Sequence, residues 1–382
     1  MKFRPSSYDP VFFRQILYGD IAHAIGNPAH ESVSVRVYLS DGTGIGLYVL
    51  QEDCTSESFV RTAFYGNPDG SIKEYTPNVI YDCTTGADFT DRDGNYLGSF
   101  KNNTYDVKGE LLEMTKKLEV LDVNDESQVN DFSDNDLELN TLLKALALEY
   151  LAGHWDSYWG LTTNFVVYHP TIDTGRYRFF FIDQDFDQTW GVGMGPGYDP
   201  LNYPTKTYNT MVGINNWKSI SQNGDDVDTR VLVNILIGCN GMNDCITKRM
   251  FETHLQNIVK YIFNPISLGI KIEGYKERLM DEMRWDLGLT RLHIAEKPQY
   301  TFTMEDFENG IYTGNYPSSK FYYGVLDWTE IISNTVCNQF SISYDEEPYN
   351  PEESDLKSFA FRNINFSSIN ILMFIGFLLF LF

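Results

Sequence analysis

The sequence predicts an α+β domain. Three observations carry that assignment: an amphipathic helix and a hairpin near the N-terminus, a pair of apolar strands ending in a run of aspartates near the middle, and a nearly unbroken helical pattern beyond residue 228. With 382 residues, of which 42% are apolar, the chain can bury a sizeable core.

The first helix is bounded by Asp9 as a cap, Pro10 in the first turn and Gly26 at the end, with Phe13, Ile16, Leu17, Ile21 and Ile25 at helical spacing. "VSVRVYLSDGTGIGLYVLQED" then reads as two alternating strands around Asp41-Gly42. Gly42, Gly44 and Gly46 match neither a dinucleotide fingerprint nor a Walker pattern and are read as turn and bulge residues. From about 66 to 135 the chain is rich in Asn, Asp, Gly and Ser, which predicts long loops or an acidic insertion carrying the sequon Asn102-Asn103-Thr104. A second helix is expected from about Asp136 to Leu151. The strands "FVVYHP" and "RYRFFFI" follow, and then a glycine-bearing segment from Gly191 to Gly197.

Fifty-three acidic residues against 29 basic ones give a net charge of -24, which excludes nucleic acid as a partner and disfavours an anionic membrane surface. The five cysteines form no C-x-x-C pair, and no histidine flanks them at ligand spacing, so a zinc site is rejected. Cys239 and Cys245 bracket "NGMND"; they are expected to close a short disulfide if the chain is secreted, and otherwise to be free thiols.

The chemistry is expected at "FIDQDFDQTWG". In continued strand geometry Asp183, Asp185 and Asp187 would share one face roughly 7 Å apart, repelling unless a positive group lies between them. An EF-hand fails, because Gln188 stands where the loop needs Gly and Met194 where it needs a bidentate Glu. A better match is the order helix, His154-Trp155-Asp156, Asn164, two strands, Asp185-Phe186-Asp187. Protein-kinase-type phosphotransferases place a hydroxyl-orienting Asp, a metal-binding Asn and a second metal-binding Asp in this order. The interval from Asp156 to Asn164 is eight, where the kinase loop has five. The residues also allow a plainer reading, in which Asp156 and Asp183 cap turns and pair with arginines such as Arg176 or Arg178.

Four separated blocks, "DPVFFRQILYGDIAHAIG", "VRVYLSDGTGIGLYVLQED", "YLAGHWDSYWGLTTNFVVYHP" and "RFFFIDQDFDQTWGVG", resemble the CotH family in the family's own order, over about residues 2 to 345. That family comprises bacterial spore-coat kinases with an atypical protein-kinase-like fold and fungal cell-surface forms that act as invasins. The resemblance implies that Asp156, Asp183 and Asp185, with Asn164 beside them, bind ATP and magnesium or manganese, with Asp156 catalytic. The implied activity is transfer of phosphate from ATP to Ser or Thr of extracytoplasmic or coat proteins. The alternative is a non-catalytic adhesin or invasin that binds a host or partner protein. Family members carry nucleotide-covering strands and a phosphate-binding lysine ahead of the block that opens here with "KFR", so the fold is expected to be N-terminally incomplete and ATP binding weak.

The expected organisation is therefore 1–55, a remnant of the nucleotide lobe (helix plus β-hairpin); 56–345, the kinase-like domain with its acidic insertion; 346–366, an acidic linker; and 367–382, a C-terminal hydrophobic anchor signal. The last twelve residues, Ile371 to Phe382, are uninterruptedly apolar. As a helix they would rise roughly 18 Å, short of a bilayer core of about 30 Å. Behind small residues and a polar stretch they match a glycolipid-anchor (GPI) attachment signal, with a tail anchor or core helix as the alternatives. Such a signal implies the secretory pathway and the cell surface, yet no signal peptide follows Met1, which again points to a missing N-terminus.

Overall fold

In the computed structural model, which describes residues 1–67, 69–75, 78–90, 96–102, 108–170, 178–290, 302–313 and 322–345, helix and sheet are mixed in an α+β arrangement. The expected hairpin is present. β2 (Ser32–Tyr38) and β3 (Gly44–Gln51) are antiparallel, and in the turn between them Gly42 adopts a φ of 89° while Asp41 accepts the Thr43 N–H at 2.9 Å. A third strand, β1 (Lys2–Arg4), lies on the free side of β3, giving the order β1-β3-β2 and setting Arg4 opposite Val49. Three residues are too few to show an alternating pattern, so this strand is silent in the sequence.

α1 (Arg14–Ala24) starts later than Asp9 and Pro10 suggested. Asp9 stabilises the turn ahead of the helix: it accepts the N–H groups of Val11 (3.1 Å) and Arg14 (2.9 Å), and it pairs with the fully buried Arg14 guanidinium. Gly26, with φ 80°, ends the element as expected.

The second sheet has the antiparallel order β5-β4-β6-β7: β5 (Phe100–Lys101), β4 (Ile80–Cys83), β6 (Phe165–Tyr168) and β7 (Phe180–Asp183). β6 and β7 read as continuous apolar runs because both their faces are covered. Val166, Tyr168, Phe180 and Ile182 pack under α2 (Glu57–Tyr65) through Phe59, Val60 and Phe64. Phe165, Val167 and Phe181 face the main core.

The stretch from 66 to 135, where long loops were expected, carries regular elements over much of its described length. It contributes β4, β5, α3 (Lys108–Glu119) and α4 (Glu126–Asn135). Leu111, Met114 and Leu118 on α3, and Val129 and Phe132 on α4, are buried at helical spacing. The abundance of Asp, Asn and Ser on the solvent side obscured that periodicity.

α5 (Leu139–Ala152) runs through the core and stops at Gly153, whose φ is 55° and whose Cα lies so near Trp328 that a Cβ would fall 2.3 Å from the ring. The chain then passes through α6 (Tyr158–Leu161) into β6. Beyond β7 come α7 (Tyr208–Val212), α8 (Trp217–Ser221), α9 (Ile246–Tyr261), α10 (Pro265–Leu287), α11 (Met304–Tyr312) and α12 (Val325–Phe340). Cys239 and Cys245 form the expected disulfide, with Cα atoms 5.7 Å apart. Among the described residues no helix is long and apolar enough to cross a membrane. The linker and anchor segments expected at 346–366 and 367–382 lie outside the described residues.

Candidate functional site

The site is organised around Phe186. Its side chain is fully buried, with its ring stacked on Tyr18 of α1 (centroids 4.3 Å apart) and on His30 (4.6 Å). Its N–H donates to Gln15 Oε1 on α1 at 2.9 Å. β7 ends at Asp183, the Gln184 N–H donates to the Asn164 carbonyl (2.9 Å), and Asp185 turns into the left-handed region with φ 64°. Asn164 is left-handed too, at φ 53°. Asp and Asn tolerate this conformation better than other non-glycine residues, and such residues cluster at functional sites.

The turn at Asp185 ends the alternation that would have put three aspartates on one face. Asp183 points into the core, where its Oδ2 accepts the Tyr18 hydroxyl at 2.8 Å. Beside it lies the buried Glu149, whose pKa is pushed well up by burial and then by the charge of Asp183. Asp183 is raised to about 6 by burial, against the pull of its hydrogen bonds with Glu149 and Tyr18. Burial thus disfavours charge on both members of this pair. The other Glu149 oxygen accepts from Ser157 Oγ (2.5 Å) and the Trp159 N–H (2.8 Å), tying the end of α5 to the loop that carries Asp156.

Asp185 and Asp187 are instead partly exposed, and the positive group between them is Arg4, which pairs with Asp185 and with Asp187 (3.2 Å). Asp156 joins this cluster. Its Oδ2 accepts from Gln188 Nε2 (3.1 Å), and Asn164 Nδ2 donates to its backbone carbonyl (2.8 Å). Burial, and then the charge of Asp185, raise its carboxyl to about 7, while Asn164 and Arg4 pull the other way. Asp187 is raised to about 8 by burial and Asp185, against Arg4. His154, held neutral by burial with its pKa lowered to about 3, donates from Nε2 to the Asp185 carbonyl (3.1 Å) and so fixes its own tautomer.

The structure thus brings Asp156, Asn164 and Asp185 together and sets Asp183 behind them. Among the described residues no three His, Cys, Asp or Glu side chains converge as a ready cation cage. Magnesium does not require one, since it is held by one or two carboxylates plus phosphate oxygens and water. The donor set fits such an ion: Oδ1 of Asp185 is a buried oxygen that accepts from no donor group. The arginines of the plainer reading do not serve these aspartates in the described residues. Arg178 lies over the Phe180 ring, and Arg176 is outside the described residues.

A family model described as CotH kinase protein matches residues 2–294, from β1 through α10 and across every residue of this cluster. The chain belongs to the CotH family. This CotH-family chain is 28% identical to Invasin CotH2 of Rhizopus delemar over 92% of its own length and 56% of that protein's, and 26% identical to Invasin CotH3 of the same organism over 93% and 56%. It is also 26% identical to Spore coat protein homolog 1 of Rhizopus delemar, over 90% and 52%. The chain therefore spans about half the length of the curated relatives it matches.

Several residues of the site were not read from the CotH-family sequence. Arg4 sits in a three-residue strand and meets Asp185 only through the fold. Tyr18 and Gln15 are polar heads on a helix otherwise read as apolar. Glu149 did carry a signal: it is the single acidic residue of α5, and a lone carboxyl on a buried helix needs a partner.

The raised carboxyls fix a pH dependence. An unfolded Asp titrates near ~4, so between that pH and about 7 the folded protein holds a proton on Asp156 that the unfolded chain has released. Its contribution to stability is therefore lost as pH rises through this window. Asp156→Asn is neutral at every pH, so its urea midpoint relative to the wild type should move upward as pH goes from about 5 to about 8. A constant difference, or one of opposite slope, would show that the Asp156 carboxyl is not raised.

Proposed function

We propose that the chain is an ATP- and magnesium- or manganese-dependent phosphotransferase of atypical kinase-like fold, acting on Ser or Thr hydroxyls of extracytoplasmic or coat proteins. The observation that carries this reading is the convergence of Asp156, Asn164 and Asp185, delivered by two loops on either side of the β6–β7 hairpin, in the order in which kinases arrange hydroxyl-orienting and metal-holding groups. Asp185 and Asn164 would hold the metal ion, with Asp183 behind them. When bound, the ion would supply the positive charge that offsets the phosphate groups. Asp156, its carboxyl raised to about 7, is suited to orient an incoming hydroxyl and take up its proton near neutral pH. Tyr18 and Gln15 hold the aspartate loop in place from α1.

A second reading, a non-catalytic adhesin, is favoured by the relatives named as invasins. Both readings place the protein at a cell surface or coat, as the names of the relatives suggest and as a disulfide in an oxidising compartment would suit. In both, attachment would come from a glycolipid added at the C-terminal signal 367–382, so a phospholipase that cleaves that lipid should release the protein from cells. Retention with the tail still covalently present would contradict the anchor.

The two readings separate in one assay on the full-length gene product. The enzyme should transfer labelled phosphate from ATP to a serine-rich protein, and Asp156→Ala and Asp185→Ala should each reduce transfer by roughly 10³-fold or more while leaving partner binding intact. No detectable transfer, with binding lost on replacing the exposed surface between about 66 and 135, would establish the adhesin.

A further inference from the structure

We propose that Arg4 is an electrostatic latch, a guanidinium that closes over Asp185 and Asp187 and competes with a divalent cation for their oxygens. The inference rests on reading Asp185 as a cation-binding residue.

Arg4 ends β1, an edge strand that pairs with β3 alone. From there its two terminal nitrogens divide between two carboxylates, one on Asp185 and one on Asp187. Asp185, Asp187 and Asp156 lie together, and among the described residues Arg4 offsets them: its charge opposes the raising of both Asp156 and Asp187. The pair is not sealed from water, since the Arg4 and Asp185 side chains keep 28% and 25% of their exposure. A guanidinium held this way is a monovalent stand-in for a metal ion. It occupies Asp185 Oδ2 while leaving the buried Oδ1 of the same carboxylate without a donor.

A hard divalent ion brings twice the charge to the same oxygens, and two cations cannot share them without repulsion. Loading the ion therefore requires Arg4 to swing outward, which a partly exposed side chain on a short edge strand can do without disturbing the core. The apparent affinity for the ion is lowered by the fraction of molecules in which the latch is closed.

The test is nucleotide-free Mn2+ binding, followed by electron paramagnetic resonance or calorimetry, in the wild type, Arg4→Ala, Arg4→Lys and Asp185→Ala. If the latch is closed in about nine molecules of ten, Arg4→Ala should bind Mn2+ roughly tenfold more tightly than the wild type. Arg4→Lys, which keeps the charge but not the fork, should fall between them, and Asp185→Ala should not bind. Arg4→Gln, neutral and similar in shape, gives the same reading should the alanine variant fail to fold. Unchanged or weaker Mn2+ binding in the neutral variants, with wild-type binding that depends on Asp185, would overturn the latch and leave the cation site standing. Absence of Mn2+ binding in the wild type and neutral variants alike would remove both.

Discussion

Phe186 is the constraint on which the rest of the site depends. A fully buried phenylalanine between two aspartates pulls the chain inward at the position where its neighbours cannot follow. Burying such a ring contributes about 1.5–3 kcal/mol, and each well-placed aromatic neighbour adds about 0.5–1.5 kcal/mol. Tyr18 and His30 both stack on it. Those terms, with the hydrogen bond from the Phe186 N–H to Gln15 and the one from His154 to the Asp185 carbonyl, offset a left-handed Asp185, which costs about 1–3 kcal/mol. The result is a loop that presents Asp185 and Asp187 to one cleft and leaves Asp183 facing the other way.

Two layers of carboxyls follow, neutralised by different means. The rear layer, Glu149 and Asp183, is buried; burial raises both carboxyls, and the Tyr18 hydroxyl donates to Asp183. It holds the end of α5, α1, β7 and the Asp156 loop in one network, and removing any member would leave a buried polar group without a partner. The front layer, Asp156, Asp185 and Asp187, reaches solvent and is balanced by Arg4. The rear layer is suited to fixing geometry, and the front layer keeps its charge within reach of solvent. That division gives Asp183 a structural part and leaves the Asp185 side chain a quarter exposed.

Much of this was legible in the sequence. The hairpin at Asp41-Gly42, the strands "FVVYHP" and "RYRFFFI", and the helices beyond 228 carry periodicities strong enough to stand alone. The order His154, Asp156, Asn164, Asp185 pointed to two loops that the fold brings together on either side of β6 and β7. Three things were not legible, each for a physical reason. The left-handed turn at Asp185 is set by the burial of its neighbour, so nothing in the D-x-D-x-D spacing announces that Asp183 will face away. Arg4 meets Asp185 across 181 residues of chain, a contact made only by the pairing of β1 with β3. The helices α3 and α4 were hidden because their few buried apolar residues are diluted by the acidic residues of their exposed faces.

The central claim is that Asp185, Asp156 and Asn164 form a divalent-cation site held open by the burial of Phe186. Anomalous diffraction from crystals grown with Mn2+ tests it most directly. The account predicts a single strong peak at roughly 2 Å from a carboxylate oxygen of Asp185, with Asn164 or Asp156 beside it and the Arg4 guanidinium withdrawn. A cleft without such a peak at saturating Mn2+, with Arg4 still bridging Asp185 and Asp187, would contradict it.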